Sequence, residues 1–184
     1  MTPILETKRL LLTPLSMTDA GEMQRIFPTW ETVKYLNADT IPWPYPENGA
    51  EDFIQHVVIP DTLAGNGFFW AIKRKENPEK LIGVIDLHLD EEFNRGFWLS
   101  EAWRGRGFTS EASESVNEFW FDVLGMDKLT VSKACDNIAS SKISESNGMI
   151  LTGYGYTDYI CGTLKSEVWE MTKETRNLRK KCNG

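Results

Sequence analysis

The sequence has few of the side chains that hold transition metals. Its 184 residues include three cysteines and two histidines, and no pair of cysteines has the CxxC spacing of a zinc site. The odd number of cysteines is typical of a reducing compartment. We therefore expect no metal site; the residues concerned are Cys135, Cys161, Cys182, His56 and His88.

The sequence also lacks an excess of positive charge and any long apolar run. A net charge of −7 argues against the broad basic face of a nucleic-acid-binding protein. It suits cationic partners such as amines, although many cytosolic proteins are simply acidic. No apolar run approaches the roughly 18–20 residues that span a bilayer, and the start, MTPILETKRLLLTPL, lacks the layout of a signal peptide. We therefore expect a cytoplasmic protein with no nucleic-acid and no membrane partner.

Apolar patterns divide the chain into the strands and helices of one α+β domain. The length and the absence of repeats or a linker favour a single domain over residues 1–184. We predict a mixed, mostly antiparallel sheet flanked by helices, and a flexible or helical tail over 175–184, solvated from Arg176 onward. Strands are predicted at 9–15, 68–75, 80–89, 94–100, 128–134, 149–156 and 166–172, and helices at 16–27, 29–36, 50–59, 112–125 and 137–148.

The stretch WRGRGFT, residues 103–109, concentrates glycine and positive charge between a predicted strand and a predicted helix. Gly105 and Gly107 allow a tight turn with outward backbone amides, and a helix N-terminus carries unpaired N–H groups. Arg104 and Arg106 add charge where a pyrophosphate would lie. Neither GxxxxGK[ST] nor GxGxxG is present, so the pattern predicts a phosphate cradle of another kind, with a plain surface turn as the alternative.

Two blocks then resemble the GNAT superfamily of N-acetyltransferases. GFWLSEAWRGRGFTSEA, residues 96–112, is similar to the acetyl-coenzyme A signature Q/R-x-x-G-x-G/A, with Thr109 in place of the final small residue. DNIASSKISESNGM, residues 136–149, resembles D-N-x-x-S-x-x-V-x-E-x-x-G-F. ETKRLLLTPLSMTDA, LIGVIDLH and SEVWEMT also resemble the branch that acetylates ribosomal-protein N-termini. The matching positions are Arg104, Gly107, Asn137, Ser140, Ile143, Glu145 and Gly148.

The resemblance implies a coenzyme site between two splayed central strands. The strand Phe97, Trp98, Leu99 is expected to leave its neighbour and pair with the pantetheine amides, while Asn137 contacts the pantetheine arm. The Thr109 hydroxyl either binds phosphate, which we favour, or its bulk loosens the fit. The backbone amides expected to hold the pyrophosphate are those of Gly105, Arg106, Gly107, Phe108, Thr109 and Ser110.

The same resemblance points to Ser140 as the group that assists departure of the thiolate. Many relatives use a tyrosine at the position that is Ser144 here, whereas the ribosomal-protein branch has a proposed serine donor at the position of Ser140. The alternative for Ser140 is that it satisfies backbone N–H groups at a helix start. The general base is left open among Asp86, His88, Asp158 and water.

The function implied is acetyl-CoA-dependent transfer of an acetyl group to a primary amine, with no metal. A peptide α-amine is the expected acceptor because no strong base is evident, and the aromatics of IPWPYP, residues 41–46, are expected to line its cleft. Alternatives are a small amine such as a polyamine or an antibiotic, and a non-catalytic coenzyme A sensor. A nucleotide-binding protein is disfavoured because the P-loop lysine is absent. We expect a monomer or a homodimer.

Overall fold

The structure, a computed structural model, describes residues 1–89 and 92–183, with side chains as far as residue 179. The strands are β1 (Leu5–Glu6), β2 (Leu10–Pro14), β3 (Gly67–Arg74), β4 (Asn77–His88), β5 (Arg95–Leu99), β6 (Lys128–Ala134), β7 (Ile150–Tyr159) and β8 (Gly162–Thr172). The helices are α1 (Ala20–Ile26), α2 (Trp30–Val33), α3 (Gly49–Phe53), α4 (Ile59–Ala64), α5 (Phe108–Glu118), α6 (Ile138–Asn147) and α7 (Lys173–Asn183). Wider helical turns, Ile54–Val58 and Phe119–Val123, follow α3 and α5.

The strands form two antiparallel sheets that separate between β5 and β6. The first sheet has the order β1-β2-β3-β4-β5 and the second the order β6-β8-β7. The two sheets meet where the Asn94 N–H donates to the Thr130 carbonyl at 2.7 Å and the Thr130 N–H donates to Asn94 Oδ1 at 2.9 Å. Beyond that point no ladder joins β5 to β6 in the described residues. The α+β class and the expected splay of residues 97–99 are confirmed.

Strand β3 and the second half of β4 are buried on both faces, which explains their nearly continuous apolar sequence. Alternate residues of β3 face opposite sides: Trp70 and Ile72 pack in a core with α5 and the second sheet, while Phe69 and Ala71 pack under α1 and α3. Phe69 and Trp70 are therefore core residues on opposite faces of the sheet. The N-terminal helices and α5 are thereby fixed on opposite faces of the same sheet.

Two local expectations are revised. The helix predicted at 29–36 is reduced to Trp30–Val33. The chain end is helical, and the solvated tail expected from Arg176 onward does not hold at that residue: its side chain is buried and makes two 2.6 Å hydrogen bonds to Asp122. This ion pair could not be recognised in the charged sequence of the tail, because Asp122 lies 54 positions away from Arg176. The side chains of residues 180–183, and Gly184 altogether, lie outside the described part of the tail.

Candidate functional site

The loop after β5 gives helix α5 a start that depends on glycine. Gly105 and Gly107 have φ angles of 73° and 77°, a left-handed conformation that costs other residues about 1–2 kcal/mol. Helix α5 begins at Phe108, and the N–H of Glu111 donates to the Gly107 carbonyl at 3.1 Å. The amides of the first helical turn, through Ser110, therefore have no partner within the helix.

These amides form a cradle suited to an anion. No acceptor for the backbone N–H groups of residues 105–110 is found in the part of the chain that the structure describes, and the positive end of the α5 dipole lies behind them. Ser110 also connects α5 to α6, because its Oγ lies 3.0 Å from Ser146 Oγ. The geometry suits the phosphate site predicted from the sequence. That a ligand uses this site stays a prediction.

The two arginines of the loop differ in what they offer. Arg104 donates from Nε to the Leu99 carbonyl at 3.0 Å, from Nη1 to the Glu31 carbonyl at 3.0 Å, and from Nη2 to Thr32 Oγ1 at 2.9 Å. Its guanidinium therefore fastens α2 to the loop, and these contacts do not favour the expectation that its charge lies at a pyrophosphate. Arg106 is exposed, and its guanidinium carbon lies 5.0 Å from the centre of the Trp103 ring. Its expected contribution to phosphate binding remains a prediction.

Strand β5 offers backbone to the opening between the sheets. Phe97, Trp98 and Leu99 pair with β4 along one edge only, so the groups along the other edge face the space between β5 and β6. The side chains of Trp98 and Leu99 are buried. Any pairing of this strand with pantetheine amides would therefore use its main chain, as the sequence resemblance implies.

Asn137 and Ser140, at the start of helix α6, make different contacts. Asn137 caps the helix, with Oδ1 accepting from the Ser140 N–H at 3.2 Å. Ser140 is half-buried, and its Oγ makes no hydrogen bond in the described part of the chain. The alternative in which the Ser140 hydroxyl caps the helix is therefore not what the geometry displays, and this hydroxyl is available to a ligand.

Lys133, which the sequence analysis did not select, lies beneath the same helix. Its Nζ contacts Ser144 Oγ, lies 3.4 Å from the Ser140 carbonyl oxygen and stands 4.8 Å from the centre of the Trp169 ring. Burial, with the nearby charge of Arg95, lowers the pKa of Lys133 to about 7, and neighbouring glutamates oppose that shift. Ser144 is 1% exposed and held in the interior by this contact. The available signal was alternation in KLTVSKA, which places Lys133 on the same strand face as Leu129 and Val131.

The candidate bases fall into two groups. Asp86 and His88 lie on one face of β4, with 3.0 Å between Asp86 Oδ1 and His88 Nε2, and the Gly96 N–H donates to the same carboxylate oxygen at 3.0 Å. Alternation along β4 places both with Val84, on the face that carries α1 and α3. Asp158 lies apart on β7, is exposed, and accepts from a threonine at 2.5 Å. The structure thus brings together Asp86 and His88 but not Asp158.

The segment after α2 bridges the gap between the two sheets. The Ala38 N–H donates to the Asp158 carbonyl at 3.0 Å, and the Ile160 N–H donates to the Leu36 carbonyl at 3.1 Å. These bonds join the N-terminal helical region of the first sheet to the turn between β7 and β8 in the second. An acceptor approaching from this side would meet a fixed wall rather than an open edge.

Aromatic side chains also lie in α2 and in the IPWPYP segment. Trp30 and Trp43 are 46% and 41% exposed and their ring centres lie 6.1 Å apart. Tyr45 instead packs on Phe27 at 4.9 Å, and burial, aided by a nearby aspartate, raises the pKa of Tyr45 to about 12. Of the IPWPYP aromatics, Trp43 is therefore the one presented to solvent. Its expected contact with an acceptor stays a prediction.

Comparison with known proteins identifies the family. The model of the acetyltransferase (GNAT) domain matches residues 9–150, and the chain therefore belongs to the GNAT acetyltransferases. It is 29% identical over 153 residues to an uncharacterised N-acetyltransferase, YoaA, of Bacillus subtilis, covering 78% of this chain and 80% of that protein. The protein is thus an N-acetyltransferase, as predicted.

Solved structures show the same fold at low sequence identity. A ribosomal alpha-N-protein acetyltransferase in complex with coenzyme A has a TM-score of 0.77 and 15% identity, covering 94% of this chain and 99% of that one. A microcin self-immunity acetyltransferase in complex with acetyl-CoA and AMP has a TM-score of 0.74 and 15% identity, covering 90% and 93%.

Within residues 1–89 and 92–183, no helix is long and apolar enough to span a membrane. The same residues contain no group of three or more histidine, cysteine or acidic side chains placed to hold a metal ion.

Proposed function

We propose that this enzyme transfers the acetyl group of acetyl-CoA directly to a primary amine, and that the amine is the N-terminal α-amine of a peptide or protein. The observation that carries the proposal is the free amide cradle at the start of α5, placed at the end of a strand whose outer edge faces the gap between two sheets. A pyrophosphate on the cradle would leave the pantetheine arm to run along β5. Two relatives of the same fold were solved with coenzyme A or acetyl-CoA, which supports this choice of donor.

The residues supply three functions in this reaction. The free edge of β5 would donate hydrogen bonds that position and polarise the thioester carbonyl. As the amine nitrogen forms the new C–N bond, the C–S bond breaks and the thiolate accepts a hydrogen bond from Ser140 Oγ. A hydroxyl is a weak acid beside a thiol of pKa about 8.5, so Ser140 would stabilise the thiolate rather than protonate it outright. The proton lost by the amine would pass to the Asp86–His88 pair or to water, and the CoA thiolate would take up one proton from water as it leaves, so that one proton is released and one is taken up in each turnover.

The α-amine is favoured by the cost of deprotonation. An α-amine has a pKa of about 7.7–8.0 and a lysine about 10.4, so a tenth or more of the former but less than about one part in a thousand of the latter is neutral at pH 7. Using lysine would therefore cost on the order of 3.5 kcal/mol more. An α-amine lets an ordinary carboxylate–histidine pair or water suffice. A relative that acetylates ribosomal-protein α-amines agrees with this choice.

Two matched peptides test the acceptor. One has a free N-terminus and no lysine; the other has a blocked N-terminus and one internal lysine. We expect kcat/KM, from acetyl-CoA-dependent thiol release, to be at least about tenfold higher for the first. Equal or better use of the lysine peptide would contradict the α-amine assignment. Turnover of polyamines alone would favour a small-molecule acceptor, and coenzyme binding without turnover on any amine would favour a sensor.

A further inference from the structure

Arg9 lies against the cradle although it is 97 positions away from the loop in sequence. Its Nη1 donates to the Arg106 carbonyl at 3.0 Å and its Nε donates to Glu111 Oε2 at 2.6 Å. Its guanidinium carbon also stands 4.5 Å from the centre of the Phe108 ring. We propose that Arg9 is a coenzyme-phosphate residue: it sets the cradle in its binding conformation and adds one donor to it. This inference rests on the proposed use of acetyl-CoA.

The bond to the Arg106 carbonyl fixes one peptide plane of the loop. In a trans peptide the C=O and the following N–H point in opposite directions. Because Arg9 holds the Arg106 oxygen on its own side, the Gly107 N–H is held facing away from Arg9. Arg106 lies between two glycines, so without this bond the loop could sample several conformations. Fixing this plane before the ligand arrives lowers the ordering cost of binding.

Arg9 also neutralises an acid in the first turn of α5. Burial favours protonation of Glu111, but hydrogen bonds from Thr7 and Arg9 and the Arg9 charge outweigh it and hold the pKa of Glu111 below its ordinary value. Glu111 Oε1 accepts from Thr7 Oγ1 at 2.5 Å and from the Arg9 N–H at 2.8 Å. An unpaired carboxylate there would repel a pyrophosphate; the paired one does so far less.

The remaining amine of the guanidinium, Nη2, is placed to meet a ligand. It would stand 3.4 Å from a Cβ added at Gly107, so it lies at the edge of the cradle. No acceptor for it is found among the described residues, and the side chain is 44% exposed. An arginine that keeps a donor free while its other donors are fixed is a preorganised partner for phosphate oxygens.

The test compares ligands with and without the pyrophosphate. In the full-length Arg9→Met variant, we expect affinity for CoA and for 3′-dephospho-CoA to fall at least about tenfold. Affinity for pantetheine, which has no phosphate, should stay within about twofold of wild type. Isothermal calorimetry gives the first two values, and competition with CoA gives the third. Arg9→Lys, which keeps the charge but not the forked geometry, should be intermediate and serves if the methionine variant does not fold.

Lys75→Met is the matched control. Lys75 donates its backbone N–H to the Arg9 carbonyl and pairs with Glu6 at 3.0 Å, so this variant removes the same charge nearby without touching the cradle. It should bind CoA as wild type does. Wild-type CoA affinity in the arginine variants, or an equal loss for pantetheine, would overturn the role of Arg9 alone. Failure of the wild-type protein to bind CoA would instead overturn the proposed function and this inference with it.

Discussion

Replacing Gly107 by valine should lower both the stability of the protein, through backbone strain, and its affinity for CoA, and the two losses can be measured separately. Gly107 has φ 77° and ψ 7°, so a β-branched residue there should lower the free energy of unfolding by about 1–2 kcal/mol or somewhat more. Among the described residues, the new Cβ would meet only Arg9 Nη2, at 3.4 Å, so there is room for it and the variant should fold. Its methyl groups would occupy space next to the amides where a phosphate must approach. We therefore expect CoA affinity to fall at least about tenfold, or roughly 1.4 kcal/mol.

Gly65→Val is the control for strain. Gly65 follows α4 with φ 78°, and in the described part of the chain no atom beyond its neighbours lies within 4 Å of an added Cβ, so its valine variant has the same backbone cost away from the loop. Urea unfolding should give similar losses of stability for the two variants, while calorimetry with CoA should detect a loss of affinity only in Gly107→Val. If the folded Gly107→Val protein binds CoA as tightly as wild type, the phosphate does not lie on residues 105–110.

Two further predictions concern helix α6 and the strand beneath it. Ser140→Ala should lower kcat roughly tenfold or more while changing the KM for acetyl-CoA less. Ser144→Ala should instead lower the free energy of unfolding by about 1–3 kcal/mol, because it leaves Lys133 without its hydroxyl partner. A larger loss of kcat in Ser144→Ala than in Ser140→Ala would reverse the assignment. The pKa of Lys133 is about 7 in the folded state against an ordinary 10.5, so the unfolded chain binds more protons between these values and wild-type stability should rise with pH there. In urea unfolding, we expect the free energy of unfolding of the wild type to rise, relative to that of Lys133→Met, by on the order of 1 kcal/mol per pH unit from about pH 7 to 9. Parallel pH profiles of stability for the two proteins would contradict a pKa of Lys133 lowered by burial.

The sequence predicted those features that depend on neighbours in the chain. The strands from Phe68 onward and the helix after the glycine loop follow from local apolar patterns, and they match β3, β4, β5 and α5 within a few residues. Gly105 and Gly107 were recognisable for the same reason, because a strand–glycine–helix junction is a local signal. The splay of β5 from β6 came from family resemblance, since no local pattern states that two strands fail to pair.

The missed features depend on contacts between distant segments. The sequence placed the charge of Arg104 at a phosphate, but α2 brings backbone and hydroxyl acceptors to it from 72 and 73 positions away. Arg9 reaches the same loop from the other side and could not be paired with it before the fold was known. Lys133 was not selected from the sequence, although its alternation with Leu129 and Val131 places it on their strand face and indicates burial. Of these three residues only Lys133 is buried, and its Nζ is tolerated there because Ser144 Oγ and the Ser140 carbonyl oxygen lie close to it.

The structure of the complex with CoA tests the central claim most directly. We expect pyrophosphate oxygens within about 3 Å of backbone nitrogens in residues 105–110, with the Arg9 guanidinium at their edge. We also expect the pantetheine arm along the free edge of β5, with the sulfur near Ser140 Oγ. Coenzyme bound elsewhere, or with its phosphates away from the start of α5, would show that the amides of residues 105–110 are not the phosphate site.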